Sequence, residues 1–261
     1  MCANSEHTAM GMIFALILFY LIVSVLIYSL LCRRKKVRSV TKYKKNILVV
    51  TAHPDDECIF FGPTILQLNA TRNVVVHVLC LSAGDYYGEG QVRSKELLAS
   101  CHILGIPQCN VAVVEHAKLQ DDPDAFWDVD VAARLVLHHV KKFNAHTVVT
   151  FDDYGVSGHR NHVSCYRAVK RLVEDRKLPN TTKAYSLNSV SILRKFVSIL
   201  DLPFSVLTAS KLYISSPRDV YRSQLAMRAH GSQFVWFRIL NIIFSRYVIV
   251  NTLDKINAKS K

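Results

Sequence analysis

From Asn46 onward, hydrophobic positions fall in short β-branched runs separated by longer stretches with one apolar side, the pattern of a mostly parallel sheet covered by helices. Residues 47–51 (ILVVT), 74–81 (VVVHVLCL), 111–114 and 147–151 (TVVTF) predict four strands. Helices are expected near 59–69, 91–104 and 129–142, the last with Val129, Ala132, Ala133, Val136 and Val140 on one face. A further helix is expected from about His162 to Glu174. Past Pro179 the spacing suggests strands at 185–193 and 211–215, a helix at 217–230 and a final apolar helix at 234–250. There is no internal repeat and no long linker, so residues 46–261 are expected to form one α/β domain.

A different pattern precedes it. Residues 10–32 contain no charge, no proline and one glycine. As a helix rising about 1.5 Å per residue, this run is roughly 34 Å long, against about 30 Å of bilayer hydrocarbon. A cleaved signal would begin with basic residues, whereas here the start carries Glu6 and the cations follow. The run therefore predicts a transmembrane anchor.

Net charge supports that reading. Eight of the thirteen excess positive charges fall between Arg33 and Lys45, with no acid among them. A basic block directly after a span stays cytosolic under the positive-inside rule, which places residues 1–9 in the lumen, 10–32 in the membrane, 33–45 at its inner surface and 46–261 in the cytosol. Because the cations follow a span and no RNA-binding motif is present, nucleic acid is not an expected partner. Seven scattered cysteines without a CxxC pair predict reduced thiols. The sequons at Asn69 and Asn180 should then remain unmodified.

Two loops concentrate chemistry. The first strand runs into His53-Pro54-Asp55-Asp56-Glu57, and the fourth into Asp152-Asp153-Tyr154-Gly155-Val156-Ser157-Gly158-His159-Arg160-Asn161-His162. Groups at the carboxyl ends of strands in an open α/β sheet face the ligand crevice. Adjacent carboxylates repel unless a cation lies among them; Glu57 reads more simply as an acid at a helix N-terminus. His159 and His162, three apart, share one side of a helix. His53, one of the Asp55/Asp56 pair and one of the His159/His162 pair would give a catalytic metal its three protein ligands. The remaining acid and histidine would be a base and a cationic oxyanion stabiliser, the equipment of a metal-assisted amide or ester hydrolase. Zn²⁺ suits this donor set, and Fe²⁺ and Mn²⁺ are compatible with it. His77, His102, His138 and His139 read as surface or satisfied core groups, and Asp152 and Asp153 as loop acids behind the histidines. Neither a glycine-rich dinucleotide loop nor a serine-nucleophile elbow follows a strand.

AHPDDE at 52–57 with GVSGHRNH at 155–162 resembles the LmbE-like deacetylase family. The segments SAGDYYGEG, LGIP, DDPD, LRKF, LDLP and HGSQFVWFR narrow the likeness to the branch acting on N-acetylglucosaminyl-phosphatidylinositol in glycosylphosphatidylinositol (GPI) anchor synthesis. The resemblance implies a Rossmann-like fold, a divalent metal held by His53, Asp56 and His162, Asp55 as general base and His159 as the second catalytic histidine. It places Arg93 near substrate; an ordinary ion pair on a helix face is the alternative. It also implies an endoplasmic reticulum membrane protein. The competing reading is a lipid-binding protein with a structural metal. Finally, 234–250 is expected either to cover the sheet or to lie on the membrane through Trp236, Tyr247, Arg238 and Arg246, with 196–207 as a second membrane candidate.

Overall fold

The computed structural model describes residues 2–34 and 40–258, with side chains from 10–33 and 43–258. Helix α1, Cys2–Arg34, contains the apolar run. It is the one described helix long and apolar enough to cross a membrane. The middle of the basic block, 35–39, lies outside the described residues. Strand β1, Val40–Thr51, then enters a seven-stranded sheet with β2 (Arg72–Cys80), β3 (Val111–Val113), β4 (Thr147–Phe151), β5 (Lys183–Leu187), β6 (Lys211–Ile214) and β7 (Val250–Lys255). Strand order is β3-β2-β1-β4-β5-β7-β6. The first five are mutually parallel, and β7 runs antiparallel between β5 and β6.

That order positions the site. From β1 the chain winds outward through β2 and β3, then crosses back to place β4 against the other edge of β1, with Ile47 opposite Thr147 and Val49 opposite Val149. The two loops after β1 and β4 thus leave neighbouring strands at the point where winding reverses, where an open sheet forms a crevice at its carboxyl ends. Leu48, Val49 and Val50 are fully buried, as expected of a central parallel strand.

Helices α2 (Asp56–Ile59), α3 (Gly62–Asn69), α4 (Gly90–Ile103), α5 (Val129–Lys142), the distorted single turn α6 (Gly155–Gly158) and α7 (Arg160–Glu174) follow, then α8 (Ile192–Lys195), α9 (Leu202–Thr208), α10 (Pro217–Ala229) and α11 (Trp236–Phe244). α5 packs on α7, and α10 on α3 and α4. Local chemistry explains their ends. Asp128 caps α5 by accepting the N–H groups of Asp130 and Val131. Ser216 and Asp219 form a reciprocal capping box on α10, with Pro217 at its first position.

Several expectations need correction. β1 begins at Val40, because its polar start pairs with Arg72 and Val74 rather than burying a hydrophobic run. The strand expected over 185–193 ends at Leu187, where Asn188 and Ser189 turn under bonds to Tyr247 and Asp152. The helix expected over 234–250 stops at Phe244; Ser245 then caps a 3₁₀ turn and the chain returns as β7, which the periodicity missed. The six free cysteines among the described residues form no disulfide.

Candidate active site

The loop after β1 is held by its own backbone. One Asp56 oxygen, Oδ2, accepts the N–H groups of Ala52 and His53 at 2.9 and 2.8 Å. Its other oxygen lies 3.2 Å from His162 Nε2. Asp55 sits at φ 117°, a left-handed conformation unusual for a side-chain-bearing residue, with its N–H donating to Glu57 Oε2 at 3.0 Å. Glu57 is therefore in the first helical turn, as expected. It is also fully buried, its other oxygen bonded to the Ser100 hydroxyl and 2.7 Å from His230 Nε2. Although Glu57, Cys58 and His230 are close enough to share an ion, these carboxylate contacts already satisfy Glu57.

The loop after β4 is built around Asp152, which accepts the Gly155 N–H and the Ser189 hydroxyl at 2.9 and 2.6 Å. Gly155 has φ +65°, and a Cβ there would stand 2.8 Å from His162 Cβ. His162 Nδ1 donates to the Gly155 carbonyl at 3.0 Å, and its ring stacks on Phe151 with centroids 4.0 Å apart. His159 caps α7, its Nδ1 accepting the Asn161 N–H at 3.3 Å, which leaves the ring proton on Nε2. Burial, reinforced by the neighbouring His162 and His53, holds His159 down to about 4. These surroundings favour a neutral imidazole that donates from Nε2.

His53, Asp56 and His162 are all buried and offer ligand atoms within 4.8 Å of one another. The donor set fits a divalent metal for a reason visible in the bonding. With Nδ1 of His162 donating to a carbonyl, Nε2 of the neutral ring is an acceptor aimed at a carboxylate oxygen, so either a proton or a metal cation must lie between the two. His53 Nε2 is 2.9 Å from Asn161 Oδ1 and 3.1 Å from Asp121 Oδ1, so this nitrogen donates and Nδ1 is free to ligate. Fixing the far nitrogen of a ligating histidine with a carboxylate, amide or carbonyl oxygen is the habit of metal sites. Burial raises the Asp56 pKa, but His162 and His53 outweigh it and hold the carboxyl below its ordinary range.

Sequence reasoning missed Asp121. It joins His53 to Arg93, whose Nη1 lies 3.1 Å from Asp121 and 2.8 Å from the Gly84 carbonyl while Nη2 donates to the Pro54 carbonyl at 3.0 Å. Arg93 is buried and braces the loop that carries His53. Asn161 orients His53: its amide donates to the carbonyls of Asp122 and Ala125, which leaves its Oδ1 facing His53 Nε2. The one available signal was the acidic DDPD run that begins at Asp121.

Arg238 was expected at a membrane surface only if 234–250 lay on the bilayer rather than covering the sheet; it turns inward and ion-pairs with Asp55. Arg246 is fully buried, 3.0 Å from Asp201. His77 was expected to be surface or satisfied; it is buried with no partner for either ring nitrogen. Beside the site, a cavity of about 510 Å³ is lined by Ser157, Ser189, Val190 and Lys195 among others. The Lys195 ammonium meets no carboxylate among the described residues, and burial lowers its pKa. Phe60 stands between, 6.0 Å from Lys195 Nζ and 5.6 Å from the His162 ring.

Two histidine- and aspartate-bearing loops at the switch point of a Rossmann-like sheet define a deacetylase of the LmbE-like kind, and the comparisons agree. Residues 48–173 match the family model described as GlcNAc-PI de-N-acetylase (PIG-L). The N-acetylglucosaminyl-phosphatidylinositol de-N-acetylase of Bos taurus is 49% identical over 208 residues, 79% of this chain and 82% of that protein. A probable enzyme of the same name from Schizosaccharomyces pombe is 40% identical over 218 residues, covering 81% and 87% of the two chains. Among solved structures, the N,N'-diacetylchitobiose deacetylase of Pyrococcus horikoshii superimposes with a TM-score of 0.59 at 17% identity, covering 81% of this chain and 83% of that one. The 4-carboxy-2-hydroxymuconate hydratase of Pseudomonas putida gives 0.54 at 16%, covering 83% and 98%. A deacetylase and a hydratase on one scaffold show that the fold by itself does not set the reaction. The chain belongs to the GlcNAc-PI de-N-acetylase family, and its activity is that of a deacetylase.

Proposed function

We propose that the protein hydrolyses the acetamide of N-acetylglucosaminyl-phosphatidylinositol, giving acetate and glucosaminyl-phosphatidylinositol, at the cytosolic face of the endoplasmic reticulum membrane. In this reading α1 is the single span and residues 46–261 are cytosolic. His53, Asp56 and His162 hold a divalent metal, most simply Zn²⁺. When bound, the metal supplies Lewis acidity to the water and to the acetamide carbonyl. The observation that carries the reading is the convergence of ligand atoms from His53, Asp56 and His162 within 4.8 Å of one another, with Asp55 and His159 in the same two loops outside the ligand set.

The chain's own residues perform the proton work. Asp55 takes a proton from the attacking water as its oxygen bonds to the carbonyl carbon. The oxyanion that forms accepts a hydrogen bond from His159 Nε2–H. Asp55 then gives its proton to the amide nitrogen, the C–N bond breaks, and acetate and the free amine leave. Asp121 and Asn161 fix the His53 ring, and Arg93 fixes Asp121 and the Pro54 carbonyl. Arg93 thereby acts on the reaction from behind His53. Lys195, in the adjoining cavity, is placed for the inositol phosphate of the substrate. A lipid-binding protein with a structural metal would have no use for an unligated acid and histidine at the metal. Metal analysis of the purified protein combined with acetate release from the glycolipid tests the proposal. Stoichiometric metal and metal-dependent turnover are expected; a folded, metal-supplemented protein without bound metal or turnover would overturn it.

A further inference from the structure

The apolar surface of this molecule does not end with α1. Its lower half packs on the body through Ile27, Tyr28 and Leu31, which meet Leu202, Ile214 and Ile249. The Tyr28 hydroxyl donates to the Ser215 carbonyl at 2.9 Å. Higher up, the Tyr20 hydroxyl donates to the Leu200 carbonyl at 2.6 Å. Tyr20 lies thirteen residues from Arg33, roughly 20 Å along the helix axis. The body therefore climbs alongside α1, well above the level at which the span ends.

The segment that climbs is built for hydrocarbon. Between α8 and α9 the chain turns through Ser198–Asp201, and Leu193, Phe204 and Leu207 project outward, Leu193 78% and Leu207 85% exposed. Its buried acid and an exposed turn carbonyl are answered from within. Asp201 is buried against Arg194 at 2.6 Å, Arg246 at 3.0 Å and the Ser205 hydroxyl at 2.6 Å. The Leu200 carbonyl is taken by Tyr20. Irregular backbone at membrane depth requires that kind of internal satisfaction.

Helix α11 continues the surface, because Arg246, just past its end, closes on Asp201. At 100° per residue Trp236, Phe237, Leu240, Ile243 and Phe244 share one stripe, and all five are exposed. Ile242 and Arg238 face the body, Arg238 paired with Asp55. The outer stripe of α11 is thus one helix thickness, about 10 Å, from the proposed base.

We infer that the α8–α9 hairpin and the outer stripe of α11 are immersed in the cytosolic leaflet, forming with α1 one lipid-facing surface that brings the active-site mouth to the bilayer. The inference rests on α1 spanning the membrane. The full-length protein in phosphatidylcholine nanodiscs carries its own reporter in Trp236, 72% exposed, since Trp127, at 3%, is a shielded background. Acyl-chain-brominated phosphatidylcholine should quench about half of the total tryptophan emission, and aqueous iodide should leave it unchanged. Fluorophores on Leu207→Cys and Phe244→Cys should likewise be quenched severalfold by acyl-chain nitroxide lipid, and one on Arg134→Cys should not. Phe14→Cys separates the two claims. If Phe14 is quenched by lipid while Trp236, Leu207 and Phe244 respond only to iodide, the surface is aqueous and the inference fails with the span intact. Shielding from both quenchers would mean a protein partner and would also overturn it. An unquenched Phe14 removes the span and the inference together.

Discussion

Each proposed ligand is constrained twice, at the atom facing the metal position and at the atom behind it, and the two constraints predict different variants. Asp55→Asn leaves His53, Asp56 and His162 untouched, so metal content should stay stoichiometric while acetate release falls by about 10³-fold or more. Asp56→Ala and His162→Ala should lose the metal itself. Asp121→Asn removes the carboxylate behind His53 but keeps an amide able to accept its proton, so metal affinity should weaken by about 10- to 100-fold with the fold retained. Competition with a fluorescent zinc chelator reads these differences; unchanged affinity in Asp121→Asn would remove it as the support of His53. His53 and the pairs Asp55/Asp56 and His159/His162 were legible as a cluster because acids and histidines crowd two short motifs, but which member of each pair faces a metal was given only by the family resemblance. Asp121 was not, because its contact with His53 spans 68 positions and a lone acid carries no periodic signal.

His77 makes a separate residue-scale prediction. Burial, assisted by the charge of Lys44, pushes it from its ordinary 6.5 down to about 4, its ring stacked on Phe143 at 4.2 Å. A depressed histidine leaves stability intact above 6.5. As pH falls below that value the unfolded chain takes up a proton that the folded chain refuses, and stability is lost progressively toward pH 4. His77→Phe should remove this component of the acid sensitivity. It should also raise stability at pH 7 by about 1–3 kcal/mol, because two unpaired buried nitrogens disappear. Urea midpoints at pH 7.5 and 5 measure both effects, and an unchanged pH dependence in the variant would refute the assignment.

Among elements, the turn α6 decides whether α7 delivers its histidines. Gly155 has φ +65° and no room for a Cβ beside His162, whereas Gly158, at φ +76°, has nothing within 4 Å. Both alanine variants incur the left-handed cost of about 1–2 kcal/mol. Only Gly155→Ala should also displace His162, lowering metal affinity by at least about tenfold, while Gly158→Ala keeps affinity within a few fold. Equal effects in the two would show that the close approach is unimportant. Elements with a clean period were readable: α5 spans the expected residues and buries Ala132, Ala133, Val136 and Val140 as expected, with Val131 and His139 joining them and Val129 only half-buried. β7 was not, because VNTLDK alternates poorly and its place is set by β5 and β6, both far away in sequence. Likewise, the end of α11 is fixed by Ser245 and by Arg246 reaching Asp201, a tertiary demand without a local signature.

For the whole molecule, the sequence told where the charge lies but not how the body sits against its anchor, since the contacts of Tyr20 and Tyr28 join residues 180 and 187 positions apart. Orientation across the membrane is the remaining global question, and the structure selects its best reporter. Of the two sequons, Asn69 is compromised, because its Nδ2 already donates to the Leu104 carbonyl at 3.1 Å. Absence of a glycan there would be uninformative. Asn180 is exposed in the loop between α7 and β5, where an oligosaccharyltransferase would reach it if the domain entered the lumen. If the cationic block holds the body in the cytosol, as proposed, Asn180 should remain unmodified in microsomes. An acceptor sequon placed on an extension ahead of Met1 should be glycosylated in the same molecules. Endoglycosidase shifts report both sites in one gel lane. A shift from the extension that persists in Asn180→Gln supports the cytosolic body, and a shift abolished by Asn180→Gln would place the active site in the lumen and reverse the topology.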